Sequence, residues 1–257
     1  MTSALPDRIA AARRDLQAVR AELDAALQTE RTRRRGPLMR MLHEVEGMLT
    51  PGYAYASQAG QDRVVERLLG GKRGGTFLDI GAYDGITGSN SLYFERVLGW
   101  TGVLVEPVKQ HRETAEMWRS SPCLPYAVAD ADGTASFIAV TRGYTQMSGL
   151  AAQYDDTMLS RVRADPRHEE DRITVPTRTL NAIFRECGLS SVDFVSLDIE
   201  GGEMAALAAF DHVAHRVDVW AIENNTGSSD LSALMRNKGY NLAEFCGVDD
   251  IYVRKDL

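Results

Sequence analysis

The chain has 257 residues, 44% of them hydrophobic, which is enough for the core of one large or two small domains. Its net charge is −7 although residues 1–40 hold nine arginines against five acidic residues, so the remainder is strongly acidic and disfavours a nucleic-acid partner. Since no apolar run approaches the ~18 residues of a membrane span and the start MTSALPDRIA lacks a signal-peptide segment, we expect a cytoplasmic protein without a membrane span.

Residues 1–36 are predicted to form a separate helical arm that ends at Gly36-Pro37. Apolar residues recur within positions 5–26 at alternating spacings of four and three, at Leu5, Ile9, Ala12, Leu16, Val19, Leu23 and Ala26. This stripe is typical of a coiled coil that makes a homo-oligomer or holds a partner, and equally of an amphipathic helix packed on its own domain. The arginines at positions 31–35 are expected to be solvated or to pair with the carbonyl end of this helix.

Residues 37–257 alternate between helical and strand patterns. We predict helices over 38–49, 58–69, 90–98, 109–119, 201–210 and 228–238. We predict strands over 76–82, 102–107, 124–129, 134–140, 192–199 and 217–223, and a closing antiparallel hairpin of 240–246 with 250–254. This order predicts an α/β fold with a mostly parallel sheet, helices on both faces and ligands at the carboxyl ends of the strands.

Residues 141–171 form the least regular stretch and are predicted to be a lid or substrate loop. Tyr144, Gln146 and Ser148 are candidates to line an acceptor pocket. His168 is a candidate base if the loop folds inward, but a loop histidine beside several acids is also typical of an exposed side chain.

A glycine-containing turn follows the strand pattern GTFLDIGAYDG at 75–85, and the next strand pattern, GVLVEP at 102–107, ends on Glu106. Glycine allows close approach of the backbone to a ligand, and an acid at the tip of the next strand can accept hydrogen bonds from both ribose hydroxyls. The two segments therefore predict a nucleoside-binding pocket.

The turn lacks the features of a phosphate site. Its spacing, Asp79-x-Gly81-x-x-x-Gly85, is not the dinucleotide pattern G-x-G-x-x-G, and no Lys-Ser/Thr pair follows. The charge of Asp79 disfavours phosphate but suits a ligand with an ammonium and a sulfonium group, such as S-adenosylmethionine. A nucleotide-sugar or dinucleotide enzyme and a non-catalytic scaffold with a vestigial pocket remain as alternatives.

The chain resembles the FkbM family of S-adenosylmethionine-dependent O-methyltransferases over roughly residues 52–254. The resemblance is carried by SQAGQD (57–62), FLDIGAYDGITGSNS (77–91), GVLVEP (102–107), VPTRTLN (175–181) and VDFVSLDIEGGE (192–203). It implies the class I methyltransferase (Rossmann-like) fold, a seven-stranded sheet with an antiparallel last strand. It also implies transfer of a methyl group to a hydroxyl of a sugar, a glycan or a secondary metabolite.

The resemblance further implies a set of cofactor-binding residues: Asp79, Gly81, Ala82, Tyr83, Gly85, Asn90, Glu106, Pro107, Ala127 and Val128. Asn90 either caps the following helix or reaches the carboxylate of the cofactor. Asp130 either binds the exocyclic amine of adenine or belongs to a turn.

Acidic residues stand at the ends of the predicted strands 192–199 and 217–223, at the edge of the sheet where the glycine turn lies. Asp198 or Glu200 is predicted to accept the proton of the hydroxyl acceptor. Alternatively Asp198, Glu223 and Asn224 hold Mg²⁺ or another divalent cation, for which their oxygen atoms are suitable ligands. Glu203 is explained equally well as a carboxylate in the first turn of a helix.

Overall fold

The computed structural model describes residues 4–257, so the first three residues of the predicted arm lie outside the described residues. Within that range the helices are α1 (Ala4–Thr29), α2 (Arg35–Leu49), α3 (Gln61–Leu68), α4 (Leu92–Leu98), α5 (Lys109–Trp118), α6 (Asp156–Arg163), α7 (Leu180–Glu186), α8 (Glu203–Ala209) and α9 (Ser229–Asn237). The strands are β1 (Thr76–Ile80), β2 (Thr101–Val105), β3 (Cys123–Leu124), β4 (Ala127–Val128), β5 (Gly133–Arg142), β6 (Gly149–Leu150), β7 (Glu169–Arg178), β8 (Ser191–Leu197), β9 (Arg216–Glu223), β10 (Tyr240–Cys246) and β11 (Asp249–Arg254). No described helix has the length and apolar character needed to cross a membrane.

The main sheet has the strand order β10-β11-β9-β8-β1-β2-β3. Strand β11 is antiparallel to both of its neighbours, and the other pairs are parallel. The predicted α/β architecture with a mostly parallel sheet and a closing hairpin is therefore confirmed. Since β1, β2, β8 and β9 run in the same direction, their carboxyl ends lie along one edge of the sheet.

The central strand β1 is buried on both faces. Leu78 and Ile80 pack into the apolar cluster on one face, and Phe77 packs into the cluster on the other, with Val64 and Phe94 from the helices. Because side chains alternate along a strand, Asp79 shares the Phe77 face and lies at the end of that face nearest the carboxyl edge.

A second, smaller sheet with the order β4-β7-β5-β6 differs from the prediction. The stretch 141–171 was expected to be irregular, but it contains helix α6, strand β6 and the start of β7, which pairs antiparallel with β5. The predicted strand 124–129 is divided, because β3 joins the main sheet and β4 joins the small one. Strand β7 and helix α7 were not predicted.

The carboxyl-terminal half of α1 packs against α2. Leu16, Leu23 and Leu27 contribute to an apolar cluster with Leu38, Leu42, Val45 and Leu49 of α2. The amino-terminal half of α1 leaves Leu5 and Ile9 exposed, by 52% and 71%. Packing on the protein's own helices thus accounts for Leu16 and Leu23 of the heptad stripe, whereas Val19 is 43% exposed, and the coiled coil stays a prediction.

The arginines that follow α1 attach it to the closing hairpin. Arg35 donates to both carboxylate oxygens of Glu244 at 2.5 and 2.6 Å and to the Leu27 carbonyl at 2.5 Å. Arg33 binds the Asp250 carboxylate and the carbonyl oxygens of Asn224 and Val248. The predicted pairing with the carbonyl end of the helix is therefore confirmed for Arg35, and ion pairs with the hairpin are an addition to it.

Candidate active site

A cavity of about 410 Å³ lies at the carboxyl edge of the main sheet. Most of the site residues predicted from the sequence line it, namely Asp79, Gly81, Ala82, Tyr83, Asn90, Glu106, Pro107, Ala127, Val128, Asp198, Glu200 and Glu223. Gly85 and Asn224 are not among its lining residues. The fold thus brings residues at the ends of five strands, β1, β2, β4, β8 and β9, to one cavity.

The two glycines of the turn are required by protein contacts. Gly81 has φ +79°, and a Cβ there would lie 1.7 Å from the Asp198 carbonyl oxygen, so only glycine allows β1 to turn against the end of β8. Gly85 has φ +75°, and a Cβ there would lie 2.9 Å from the Ala115 side chain on α5. At both positions a close protein neighbour already requires glycine. Gly81 also lines the cavity, and the prediction that these glycines admit the ligand stays a prediction.

Glu106 is held at the tip of β2 by backbone groups. The Tyr83 N–H donates to its Oε2 at 3.0 Å, and the Val108 N–H donates to its Oε1 at 2.7 Å. Burial raises the pKa of Glu106 to about 8, against the effect of these hydrogen bonds and of Arg112. Each carboxylate oxygen has further acceptor capacity, as expected of a group that binds a diol.

Asp79 faces the turn that precedes α4 and also lines the cavity. Its Oδ2 accepts hydrogen bonds from the hydroxyls of Ser91 and, at 3.3 Å, Ser89. Burial raises its pKa, while these hydroxyls and Arg119 act in the opposite direction.

Asn90 does not cap helix α4, because Ser91 occupies the N-cap position. Its Nδ2 donates to the Ser196 hydroxyl at 3.0 Å, which orients the amide at the cavity wall. Within the described part of the chain, its buried Oδ1 has no hydrogen-bond partner. An unpaired buried acceptor that faces a cavity is suited to a ligand that carries a donor.

One wall of the cavity is apolar. Ala127 and Val128 of β4 are buried there, and Phe137 and Leu150 of the small sheet contribute to the same wall. Asp130 is exposed and does not line the cavity, so the turn interpretation of this residue is the one that agrees with the structure.

Three carboxylates converge at the carboxyl ends of β8 and β9. Oxygen atoms of Asp198, Glu203 and Glu223 all lie within 4.8 Å of one another. Burial and the neighbouring acids Asp249 and Glu203 raise the pKa of Asp198 to about 8. Burial, followed by the charge of Asp198, raises the pKa of Glu223 well above its ordinary value.

Glu200 and Glu203 enter this region from the turn after β8. Glu200 is buried with φ +58°, and burial together with Asp198 and Glu203 raises its pKa to about 9. Glu203 accepts from the N–H groups of Ile199 at 3.0 Å and Gly201 at 3.2 Å, so it supports the turn as well as joining the cluster.

Asn224 is turned toward a different set of partners. Its Nδ2 donates to Asp250 at 2.8 Å, and its Oδ1 accepts from the Ser228 N–H at 3.0 Å. The sequence predicted Asp198, Glu223 and Asn224 as the ligand set. In the structure the group beside Asp198 and Glu223 is Glu203, whereas the Asn224 side chain bonds to Asp250 of the hairpin and to Ser228.

Of the candidate residues in the 141–171 stretch, some line the cavity and others do not. Gln146 and Ser148 line the cavity, whereas Tyr144 does not and is 47% exposed. His168 pairs with Glu170 at 2.9 Å and is not among the cavity-lining residues, which does not support the prediction that it is a base.

Sequence reasoning missed the contributions of Ser89, Ser91 and Arg119 around Asp79 and the place of Asp249 beside Asp198. For Asp249 there was a usable signal, because an acidic pair interrupts the closing strand pattern DDIYV. No signal in the sequence marks Arg119, since one arginine at the end of an amphipathic helix is ordinary.

A sequence model described as "Methyltransferase FkbM domain" matches residues 79–242. No curated protein matches the chain significantly. Among solved structures, similarity is found to a TehB-like SAM-dependent methyltransferase from Corynebacterium glutamicum, with 13% identity, a TM-score of 0.41 and coverage of 76% of this chain and 88% of that one.

Two further similar structures are M. capricolum TrmK in complex with S-adenosyl-homocysteine and a putative RNA methyltransferase from Pyrococcus horikoshii. The first has 10% identity and a TM-score of 0.37, and covers 77% of this chain and 68% of that one. The second has 10% identity and a TM-score of 0.39, and covers 91% of this chain and 96% of that one. These likenesses are too distant to assign a substrate.

Proposed function

Because the chain belongs to the FkbM family of S-adenosylmethionine-dependent methyltransferases, we propose that it methylates a hydroxyl group of a sugar, a glycan or a secondary metabolite. The observation that carries the proposal is the cavity itself, which has the carboxylate of Glu106 near one strand tip and the acidic cluster at two others. A nucleoside-binding carboxylate and groups able to take up a proton thus border the same space.

The residues of the cavity fit the methyl donor. Glu106 offers acceptors for two ribose hydroxyls, and the unpaired Oδ1 of Asn90 offers an acceptor for an ammonium group. The apolar wall around Val128 suits an adenine ring. The carboxylates also disfavour phosphate, which argues against a nucleotide-sugar or dinucleotide enzyme.

When bound, S-adenosylmethionine supplies a methyl group on a positively charged sulfur. The chain's own part is to hold the acceptor hydroxyl and to accept its proton, because an alcohol is a weak nucleophile until it loses that proton. We assign this role to Asp198 or Glu200, which both line the cavity. Their burial beside other acids keeps the proton affinity of the carboxylates high, as a base requires.

A second mechanism is supported by the grouping of Asp198, Glu203 and Glu223. Such carboxylate oxygens are suitable ligands for Mg²⁺, and a cation there would lower the pKa of an acceptor hydroxyl. In this mechanism the third ligand of the cation is Glu203 and not Asn224, which was predicted from the sequence.

The test is methyl transfer from isotopically labelled S-adenosylmethionine to a panel of glycosides and polyketide-type alcohols, read by mass spectrometry. We expect a methyl ether as the product. Asp198→Asn should reduce transfer at least about a hundredfold while the affinity for S-adenosylhomocysteine stays close to wild type. Asp130→Asn, an exposed acid outside the cavity, is the matched control. A product methylated on nitrogen or carbon, or full activity of both Asp198→Asn and Glu200→Gln, would contradict the proposal.

Chelation separates the two mechanisms. Loss of transfer after chelator treatment, with recovery on addition of Mg²⁺, is expected if the carboxylate cluster holds a cation. Transfer that is insensitive to the chelator leaves Asp198 or Glu200 as the proton acceptor without a metal.

A further inference from the structure

Arg119 is a fully buried arginine immediately after helix α5, and it is not among the residues that line the cavity. Its guanidinium binds the largely buried Glu95, with Nε and Nη2 at 3.1 and 3.0 Å from Oε2. A buried charge is tolerated only if its remaining hydrogens are also satisfied, so the other partners of Arg119 are significant.

The other hydrogen-bond partners of this side chain belong to the turn between β1 and α4. Arg119 Nη1 donates to the Gly85 carbonyl at 2.8 Å and to the Ser89 hydroxyl oxygen at 3.3 Å. Its Nη2 donates to the Ser91 hydroxyl oxygen at 2.9 Å. One side chain therefore connects three points of the turn.

These contacts fix the direction of the hydrogen bonds around Asp79. A guanidinium can only donate, so the oxygens of Ser89 and Ser91 accept from it, and their hydrogens are available to Asp79. Both hydroxyls contact the same carboxylate oxygen, Oδ2 of Asp79. Asp79 is thereby held as an acceptor at the cavity wall.

We propose that Arg119 is a positioning residue for the amino-acid end of the methyl donor, acting through Ser89, Ser91 and Gly85 to set the turn and to hold the Asp79 carboxyl in place at the cavity wall. The inference rests on the proposed function, because it takes Asp79 as a partner of the donor's ammonium group. Arg119 itself touches neither the donor nor the acceptor in this assignment.

Because of the charges around Asp79, loss of Arg119 should change the pH dependence of ligand binding. The charged or titratable groups near Asp79 are Arg119, Asp198 and the Cys123 thiol, and only Arg119 favours the ionised carboxylate. Removal of the guanidinium raises the pKa of Asp79 further. As the pH is lowered, Asp79 of the variant is then protonated earlier than that of wild type. Its affinity for a cationic ligand group is therefore lost at a higher pH than in wild type.

The experiment is calorimetric titration of S-adenosylhomocysteine into wild type, Arg119→Met, Arg119→Lys and Glu95→Gln between about pH 6 and about pH 9. At about pH 6 we expect Arg119→Met to bind S-adenosylhomocysteine about tenfold more weakly than wild type. The difference in affinity should decrease as the pH rises toward about 9. Arg119→Lys keeps the charge and should recover most of the wild-type profile.

Glu95→Gln is the matched structural control, because it removes the ion pair but leaves Arg119 beside the two serines. It should lower the melting temperature while the pH profile of binding stays that of wild type. If Arg119→Met does not fold, Ser91→Ala, which removes one link to Asp79, should show a smaller shift of the same sign.

An Arg119→Met profile parallel to wild type, or an equal change in Glu95→Gln, would overturn the proposal and leave Arg119 as a residue of the core. If Arg119→Met does not fold, a wild-type profile for Ser91→Ala would overturn it as well. Absence of binding by folded wild-type protein is a different result, because it contradicts the proposed function rather than the role of Arg119.

Discussion

Arg33 forms an ion pair with the buried carboxylate of Asp250, from which it is separated by 217 positions in the sequence. The same guanidinium binds the carbonyl oxygens of Asn224 and Val248, next to the strand end that carries Glu223. The arm lies outside the resemblance to the family, and Arg33 thus attaches it next to Glu223 of the acidic cluster.

Substitution of Arg33 should destabilise the protein substantially. Arg33→Met leaves Asp250 buried without its cation, and we expect the free energy of unfolding to fall by about 3 kcal/mol. Arg40→Met is the matched control, because Arg40 and Glu44 form an exposed pair that contributes about 0.5 kcal/mol or less. Urea denaturation measures both, and equal effects would mean that the Arg33 contact is not stabilising.

The affinity for S-adenosylhomocysteine should depend on pH through the ionisation of Glu106. Its pKa of about 8 means that the carboxyl is largely protonated at neutral pH in the free protein, while the ribose hydroxyls require the carboxylate as acceptor. Affinity should therefore rise as the pH increases through about 8, with release of protons at neutral pH. Calorimetry in two buffers of different ionisation enthalpy measures the release. Glu106→Gln should abolish it, and release that persists in this variant would locate the proton elsewhere.

The two candidate ligand sets for a cation can be distinguished directly. Glu203→Gln and Glu223→Gln should each weaken Mn²⁺ binding by about tenfold or more, because each removes a charged ligand of the cluster. Asn224→Ala should leave Mn²⁺ affinity unchanged but lower stability, because the Asn224 amide bonds to Asp250 and Ser228. Electron paramagnetic resonance of free Mn²⁺ measures the affinity. Loss of binding in Asn224→Ala alone would restore the ligand set predicted from the sequence.

The exposed half of the heptad stripe is testable without disturbing the rest of the arm. Leu5→Glu with Ile9→Glu places charges at exposed positions of α1, and it should reduce the mass measured by light scattering if this stripe joins two chains. Deletion of residues 1–35 is less informative, because it also removes Arg33 and Arg35 from the hairpin. An unchanged mass in the double variant would show that the stripe does not mediate association.

The main sheet was predictable because its strands carry strong local signals. Strand β1 is a short buried run followed by a glycine turn, and β10 and β11 flank a turn with glycine at its centre. Strand β7 has no such signal, since its charged start and Pro176 obscure the alternation of Ile173, Val175 and Thr177. It forms because β5 supplies a distant partner, with pairs that run from Arg142 with Glu169 to Gly133 with Thr177.

The sequence predicted which strand ends form the site, but it did not predict which side chains contact one another there. The spacing of Asp198, Glu200 and Glu203 does not reveal which carboxylate approaches Glu223, because the positive φ of Glu200 redirects the turn between them. Likewise, Arg119 reaches Asp79 only through hydroxyls brought together by the fold. Such relationships depend on tertiary structure, and sequence spacing alone does not contain them.

The measurement that tests the central claim most directly is calorimetric titration of S-adenosylhomocysteine into the wild-type protein and the Glu106→Ala variant. We predict saturable binding to wild type and affinity about a hundredfold lower for Glu106→Ala, which loses two hydrogen bonds to a charged group. Binding of equal strength to both proteins would contradict the assignment of Glu106. Absence of binding by folded wild-type protein would contradict the methyltransferase pocket as a whole.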